Sequence, residues 1–461
     1  MAPNDLRQLV GWAQEYGLTQ LEVSNRQSVL LHPPTPTIRE DLARRIEGLG
    51  LPTDFAEPLT QNIVSSLPAT DVFADTPWLT AGVYLDVLAQ FDYAPKLKVN
   101  LVDPAQALVA LFTGNINFVA SPEPNYWYVF LRPSGSVRRY EYPILIDSES
   151  VGAFAKVVEH HYLANEADTG VRATFETFYR AVMADFGGRT RKPPAGFAFT
   201  PATVPAYEGF HQTRNGNYWL GLFRKSYAFP LPFVEAVSDL CRDTRVGKLY
   251  LTPYKTLLIK DIRESDRPAW DRLLGRFGVR TNVPAWYLNW QLPNADADAV
   301  ALKNRLLSEL EDADVRTDKL SFAVNVPFSE AATSVIIHRN GGPGLYDVYK
   351  RTNQTATNAQ YVLVGKSQPV AQVSESIRHL SLAYYERLTV DAPEPVREEA
   401  PAETPKRLVH ECPHCGTRYD ARYGEPHRHI PAGTPFAELT NTYVCDLCAA
   451  QKAEFKAKWL D

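Results

Sequence analysis

The chain is 461 residues long, 45% of its residues are hydrophobic, and its formal net charge is −5 at pH 7. This length exceeds one ordinary domain, so we expect two or three domains with apolar cores. The mild acidity excludes the basic surface that binding to nucleic acid or to an anionic membrane requires. No apolar run approaches the roughly 20 residues of a membrane span, and the first residues lack a charged-then-apolar signal segment. We therefore expect a cytoplasmic protein whose partners are other proteins.

Two stretches of the chain share one pattern of predicted elements. Each reads helix, strand, turn, strand and helix, with alternation in the strands and apolar residues three and four apart in the helices. Corresponding residues lie 228 positions apart in three pairs, namely Leu21 and Leu249, Leu30 and Leu258, and Gly50 and Gly278. The simplest account is a duplicated α+β unit.

The motifs after each copy resemble those of the sirohaem-dependent nitrite and sulfite reductases. The first copy is followed by Pro95–Lys98 and Asn115–Ala120, and the second by Trp286–Leu292 and Phe322–Glu330. In that family a ferredoxin-like half-domain precedes each haem-binding domain, so the resemblance implies an α+β body with pseudo-two-fold symmetry. It covers roughly residues 5 to 388. We place the two reductase-like repeats at 1–190 and 191–388.

The departures from that family concern its cofactors. Four cysteines bind an iron–sulfur cluster in the reductases, and the matching positions here are Pro284, Trp290, Val326 and Glu330. None of these side chains is a thiolate, so the resemblance implies that the body binds no such cluster and does not reduce nitrite or sulfite unaided.

Three basic residues match positions that hold sirohaem carboxylates in the reductases, namely Arg26, Lys96 and Lys98. We interpret lysines on a strand edge as solvated charges rather than as ligands, so sirohaem is not expected. The alternative of a retained basic pocket that still holds a tetrapyrrole stays open.

Residues 389–409 are rich in proline, alanine and glutamate and offer almost nothing to bury. Proline keeps such a segment extended, so we predict a linker between the body and a last domain at 410–461. Cys241 lies alone in a helical stretch and is interpreted as a buried, inert thiol.

The last fifty residues contain the other four cysteines as two CxxC pairs, Cys412–Cys415 and Cys445–Cys448. Each pair can close a turn around one ion, and two facing turns form a tetrahedral shell of four sulfur atoms that suits zinc or iron. Tandem pairs at such a spacing indicate a metal site rather than disulfides.

The residues around these pairs resemble rubredoxin, which has one iron in a four-cysteine site. The resemblance is carried by the cysteine spacing together with Gly416, Tyr419, Gly424–Pro426, Ile430–Phe436, Tyr443 and Phe455. It implies an ion that alternates between the ferric and ferrous states, with structural zinc as the alternative. Six aromatic residues are expected to form the core of this small domain, namely Tyr419, Tyr423, Phe436, Tyr443, Phe455 and Trp459.

The second cysteine turn departs from the rubredoxin pattern. Asp446 stands where proline is usual, Ala449 where glycine is usual, and Tyr443 where tryptophan is usual. A left-handed conformation at Ala449 would cost roughly 1 kcal/mol. By analogy with rubredoxins, Leu447 is expected to cover a thiolate and to contact a partner.

Together the resemblances imply a one-electron carrier whose degenerate body docks on a redox partner, an enzyme of nitrate, nitrite or sulfite assimilation. Whether the chain is itself an enzyme is left open, with the carrier favoured. One alternative is a reductase-like enzyme that still binds a tetrapyrrole and receives electrons from the tethered iron. The other is a non-redox assembly factor stabilised by zinc.

Overall fold

The structure is a computed structural model that describes residues 1–54, 62–73, 76–110, 112–167, 174–194, 196–197, 207–213, 215–342, 344–352, 360–390 and 407–460. It divides into two units, Met1–Leu382 and Ala383–Asp461. We call the first the body and the second the C-terminal unit, and each is described by itself. None of the helices in the described ranges is both long and apolar enough to cross a lipid bilayer.

The helices and strands up to residue 390 follow in chain order: α1 (Pro3–Glu15), β1 (Gln20–Val23), β2 (Val29–Leu30), α2 (Pro36–Glu47), β3 (Ile63–Ser65), α3 (Ala81–Ala89), β4 (Val99–Val102), β5 (Ile116–Ala120), β6 (Tyr126–Leu131), β7 (Tyr140–Asp147), α4 (Val151–Ala167), α5 (Phe175–Asp185), β8 (Thr190–Arg191), β9 (Gly209–Gln212), β10 (Tyr218–Leu222), β11 (Ala228–Pro230), α6 (Leu231–Asp243), β12 (Leu249–Leu251), β13 (Leu257–Ile262), α7 (Arg267–Arg276), α8 (Ala285–Leu288), β14 (Trp290–Gln291), α9 (Ala297–Asp312), β15 (Phe322–Val324), β16 (Val335–Arg339), β17 (Tyr346–Arg351), β18 (Tyr361–Gln368) and α10 (Val370–Val390).

The predicted duplication is present in this order of elements. The run from α1 through β2, α2 and β7 to α4 recurs, apart from the short α8, as the run from α6 through β13, α7 and β18 to α10. Gly50 and Gly278 follow α2 and α7 with φ of 75° and 60°, a conformation in which glycine ends a helix at little cost. The α+β class that the sequence predicts is therefore confirmed.

Each repeat contains one large sheet. The first has the strand order β3-β4-β5-β6-β7-β8 and the second has the order β14-β15-β16-β17-β18. In both sheets the first three strands are parallel and the following strands are antiparallel. Every residue of β4 and β5 is buried, as is typical of strands that are covered on both faces.

In each repeat, the residues before the first helix pair with a strand of the other repeat. β11 precedes α6 of the second repeat, yet it pairs with β1 of the first, with Leu21 opposite Phe229. In the same way Met1, which precedes α1, exchanges backbone hydrogen bonds with Leu249 in β12 at 2.9 and 3.0 Å. Phe229 is 228 positions after Met1, so the exchange obeys the offset of the repeat. One apolar cluster contains buried residues from both copies, among them Leu21 and Leu249.

The C-terminal unit contains a small antiparallel sheet. Its strands are β19 (Arg407–Glu411), β20 (Arg418–Tyr419) and β21 (Lys456–Leu460), in the order β20-β19-β21. Of the predicted linker, residues 391–406 lie outside the described ranges. The bounds of the four predicted segments stay predictions.

The aromatic core of the C-terminal unit is smaller than the sequence predicts. Tyr419, Phe436, Tyr443 and Phe455 are buried together, with ring centroids 5.4 to 5.9 Å apart. Tyr423 and Trp459 are 64% and 63% exposed, so their assignment to the core was wrong. Tyr423 lies in a surface turn and Trp459 near the end of β21, and hydrophobicity alone does not distinguish these places from the core.

Candidate metal centre

The first cysteine pair lies on a tight turn that begins where β19 ends. The backbone N–H of Cys412 donates to Thr417 O at 2.8 Å, and the N–H of Gly416 donates to Cys412 O at 2.9 Å. Gly416 has φ of 74°, which a residue without a Cβ adopts at little cost. These bonds fix the turn so that both sulfur atoms point to one side.

The second pair repeats this geometry 33 residues later. The N–H of Cys445 donates to Ala450 O at 2.8 Å, and the N–H of Ala449 donates to Cys445 O at 2.9 Å. Ala449 has φ of 58°, so the left-handed conformation expected at this position is present without the usual glycine. The two turns are thus related to each other as the two halves of a four-ligand shell.

The four cysteine sulfur atoms converge, and all lie within 4.8 Å of one another. The Sγ atoms of Cys412 and Cys448 are 3.4 Å apart, and those of Cys415 and Cys445 are 3.3 Å apart. A tetrahedral ion with metal–sulfur bonds of about 2.3 Å requires sulfur–sulfur distances of about 3.8 Å. These two distances are slightly shorter than that, and all the sulfur atoms lie close enough to share one ion. Within the described ranges, no other group of three or more histidine, cysteine or acidic side chains has this closeness.

The thiols of the centre differ in acidity. Burial, the largest single influence, raises the pKa of Cys445, yet hydrogen bonds from the backbone N–H groups of Cys448 and Leu447 bring it down to about 6. The backbone N–H of Ala450 lowers the pKa of Cys448, but partial loss of hydration and hydrogen bonds with the three neighbouring thiols outweigh it and raise the pKa to about 12. Sulfur atoms this close cannot all be charged without a counter-ion, so the donor set fits a di- or trivalent cation.

The centre lies at the surface of the unit on one side. Cys412 and Cys445 are buried, whereas Cys415 and Cys448 are exposed. Leu447 lies between the cysteines of the second turn, and its side chain is 77% exposed. His410 stacks on Phe436 with ring centroids 4.0 Å apart and does not join the four sulfur atoms.

The body contains a cavity of about 720 Å³, lined by residues of both repeats. Among the basic residues that the sequence singled out, Arg26 and Lys98 line this cavity, whereas Lys96 is exposed and does not. Lys255 also lines it and was missed. It lies 228 positions after Gln27, one residue beyond the equivalent of Arg26, and both Gln27 and Lys255 have φ of 60° in equivalent turns. Comparison of these two turns was the signal that could have pointed to it.

The predicted basic residues of the cavity are engaged with protein groups. The buried guanidinium of Arg26 donates to Asn100 Oδ1 at 2.8 Å, to Val99 O at 3.1 Å and to Asn62 O. Burial lowers the pKa of Arg26 to about 9. The ammonium group of Lys98 forms an ion pair with Glu330.

The residues at the cluster positions of the reductases do not fit an iron–sulfur cluster. Trp290, Val326 and Glu330 line the cavity, and Pro284 lies on the surface outside it. An indole, an isopropyl group and a carboxylate cannot replace the thiolates that hold such a cluster.

A small domain in which two equivalent turns present four cysteine sulfur atoms to one point belongs to the class of mononuclear thiolate-ligated metal domains. The family model of rubredoxin matches residues 409–455. Similar proteins include a probable rubredoxin of Methanothermobacter thermautotrophicus, 45% identical over 47 residues that cover 10% of this chain and 75% of that protein. Rubredoxin-2 of Chlorobaculum tepidum is 43% identical over 44 residues, which cover 10% of this chain and 85% of that protein. The chain therefore belongs to the rubredoxin family through its C-terminal unit.

The larger part of the chain has a structural neighbour as well. The solved structure of the Mycobacterium tuberculosis NirA protein matches 82% of this chain and 77% of its own chain, with a TM-score of 0.62 and 14% sequence identity. This similarity concerns the fold. It confirms, at that level, the resemblance that the motifs of the body indicated.

Proposed function

We propose that the protein transfers single electrons through a mononuclear iron held by Cys412, Cys415, Cys445 and Cys448. We propose also that the body serves to dock this carrier on a redox partner. The observation that carries the proposal is the convergence of four sulfur atoms within 4.8 Å in a rubredoxin-family unit. When bound, an iron ion supplies a one-electron ferric–ferrous couple there, with zinc as the competing metal.

The protein's own groups set the conditions for that couple. Backbone N–H groups of Leu447 and Cys448 donate to the sulfur of Cys445, and such bonds stabilise negative charge on a thiolate. The exposed side chain of Leu447 covers the same turn and offers an apolar contact to a partner. Since Cys415 and Cys448 are the exposed ligands, we place the route of the electron at their edge of the unit.

Two observations support docking rather than catalysis for the body. The positions that would hold an iron–sulfur cluster in the reductases carry Trp290, Val326 and Glu330. Lys98 is paired with Glu330 instead of pointing freely into the cavity. The assignment of the partner to nitrate, nitrite or sulfite assimilation rests on the analogy of fold alone.

The cavity favours a second candidate function. A space of about 720 Å³ with Arg26, Lys98 and Lys255 in its walls leaves room for a tetrapyrrole with carboxylate groups. In that case the body would be an enzyme that receives electrons from the C-terminal unit. The guanidinium of Arg26 already donates to Asn100, Val99 and Asn62 among the described residues, so it would have to exchange partners to bind such a ligand.

Metal analysis combined with visible spectra of the oxidised and dithionite-reduced protein tests the proposal. We expect about one iron per chain, an absorption of ferric thiolate that bleaches on reduction, and no haem bands. Haem bands would establish the second candidate. Colourless protein with zinc would instead favour a non-redox assembly factor.

Two cysteine variants make this test specific to the site. Cys445→Ser should lose the absorption, because the variant lacks one of the four thiolates. Cys241→Ala removes a thiol that is fully buried in the body, and it should keep the absorption unchanged. If Cys445→Ser keeps its colour, the metal is held elsewhere and the proposal is wrong.

A further inference from the structure

The side chain of Arg428 contacts the second cysteine turn on both sides of Cys445. One guanidinium nitrogen, Nη1, donates to Val444 O at 2.6 Å. The other, Nη2, forms an ion pair with the carboxylate of Asp446. Because residues 444 and 446 flank Cys445, a single planar side chain fixes the backbone before this ligand and the side chain after it.

The guanidinium is itself held in place. Its centre lies over the ring of Tyr443 at 5.4 Å. The hydroxyl of Tyr443 donates to Glu425 Oε1 at 2.8 Å, and the backbone N–H of Arg428 donates to Glu425 O at 2.9 Å. The side chains of Arg428 and Asp446 are 29% and 32% exposed, so the ion pair is partly withdrawn from solvent and is screened less than a surface pair.

Among the described residues, no guanidinium contacts the first turn as Arg428 contacts the second. The residue equivalent to Asp446, 33 positions earlier, is Pro413, whose ring fixes its own φ without a partner. The second turn lacks that proline, and the contact between Arg428 and Asp446 stands in its place.

We propose that Arg428 and Asp446 form a charged clamp that positions Cys445 and tunes the reduction potential of the bound metal. The inference rests on the proposed function for the potential, whereas the positioning role applies to any metal in the site. Reduction adds a negative charge to the centre, so an uncompensated guanidinium nearby raises the potential and an uncompensated carboxylate lowers it.

The charge variants therefore shift the potential in opposite directions. Arg428→Gln removes the positive charge that faces the carboxylate of Asp446, and the potential should fall. Asp446→Asn leaves the guanidinium with only the more distant carboxylate of Glu425, whose Oε2 lies 4.0 Å from Nη1, and the potential should rise. The double variant should return close to the parent value. Arg422→Gln, which removes the same charge from an exposed side chain of the unit, should shift the potential less than Arg428→Gln.

A second measurement isolates the positioning role. We expect a chelator to remove the metal several times faster from Arg428→Gln and Asp446→Asn than from the parent protein, because both break the clamp. Asp446→Pro should restore slow release, since proline stiffens the turn as Pro413 does in the first one. Both measurements use the full chain.

The outcomes separate this inference from the proposed function. Potential shifts of the same sign in the two single variants would overturn the electrostatic role, and unchanged release in both would overturn the positioning role. A protein that contains only zinc would refute electron transfer and the tuning of a potential with it. The zinc-loaded protein would still decide the positioning role through the rates of release.

Discussion

Lys98 and Glu330 form an ion pair between the two repeats, although 232 residues separate them in the chain. Lys98 directly precedes β4 of the first repeat, and Glu330 lies between β15 and β16 of the second. Both side chains line the cavity of the body. The pair thus places a carboxylate in the wall of the cavity, and it neutralises a lysine that could otherwise attract an anion.

The strength of this pair can be measured with a double-mutant cycle. Because the side chains are 27% and 31% exposed, we expect a coupling of about 1 kcal/mol between Lys98→Ala and Glu330→Ala in urea unfolding. Lys96→Ala, at an exposed lysine two residues away, should show no coupling to Glu330→Ala. Equal coupling of Glu330→Ala to both lysine variants would mean that the coupling does not come from the ion pair of Lys98 with Glu330.

We expect the substitution of Ala449 by glycine to increase the stability of the C-terminal unit. Its φ of 58° is unfavourable for a residue with a Cβ, so Ala449→Gly should stabilise the second turn by about 1 kcal/mol. The matched change in the first turn, Gly416→Ala, should destabilise it by a similar amount, because Gly416 has φ of 74°. The two variants are compared by thermal unfolding of the metal-loaded protein. The readout is the temperature at which the visible absorption is lost. Destabilisation by Ala449→Gly would contradict this account of the turn.

Phe229 tests whether the two repeats share one core. Its side chain is fully buried in the cluster that contains residues of both copies, so Phe229→Ala should cost about 3 to 5 kcal/mol. The variant should still unfold the body in one transition, because strand exchange ties the copies together. Leu85→Ala, at a side chain that is 43% exposed, is the control with a small effect. Two separate transitions for the body in urea would show that the repeats fold independently.

Glu208 predicts a pH dependence of stability. Burial is the main cause that raises its pKa to about 7, against the backbone N–H groups of Val283, 2.8 Å from Oε2, and of Asn282, which lower the pKa. A carboxyl whose pKa is higher in the folded state stabilises the protein fully below its unfolded pKa of 4.5, and this contribution is lost as pH rises through about 7. Glu208→Gln should therefore gain about 2 kcal/mol relative to the parent between pH 5 and pH 8.

The measurement is the urea midpoint of both proteins at several pH values, followed by tryptophan fluorescence. Asp92→Asn, at a side chain that is 78% exposed, should follow the parent protein throughout. A constant difference between Glu208→Gln and the parent across this range would contradict the prediction.

The sequence revealed the duplication and the metal ligands because both depend on local pattern. Leu21 and Leu249 could be matched by periodicity, and the left-handed turn at Ala449 was expected because the resembling rubredoxins usually have glycine there. The exchange that pairs Met1 with Leu249 was not foreseen, since the register between distant strands depends on contacts far apart in the chain. Trp459 was misplaced for a related reason, because its burial depends on where β21 ends relative to the core.

For this protein the amino-acid sequence by itself determined the donor set, because the spacing of four cysteines defines two turns whatever surrounds them. Only the tertiary structure decided that Arg26, Lys98 and Glu330 share one cavity, and that Arg428 reaches both sides of Cys445. The physical reason is that an ion pair or a hydrogen bond between distant residues requires the folded chain to bring the two groups within about 3 Å.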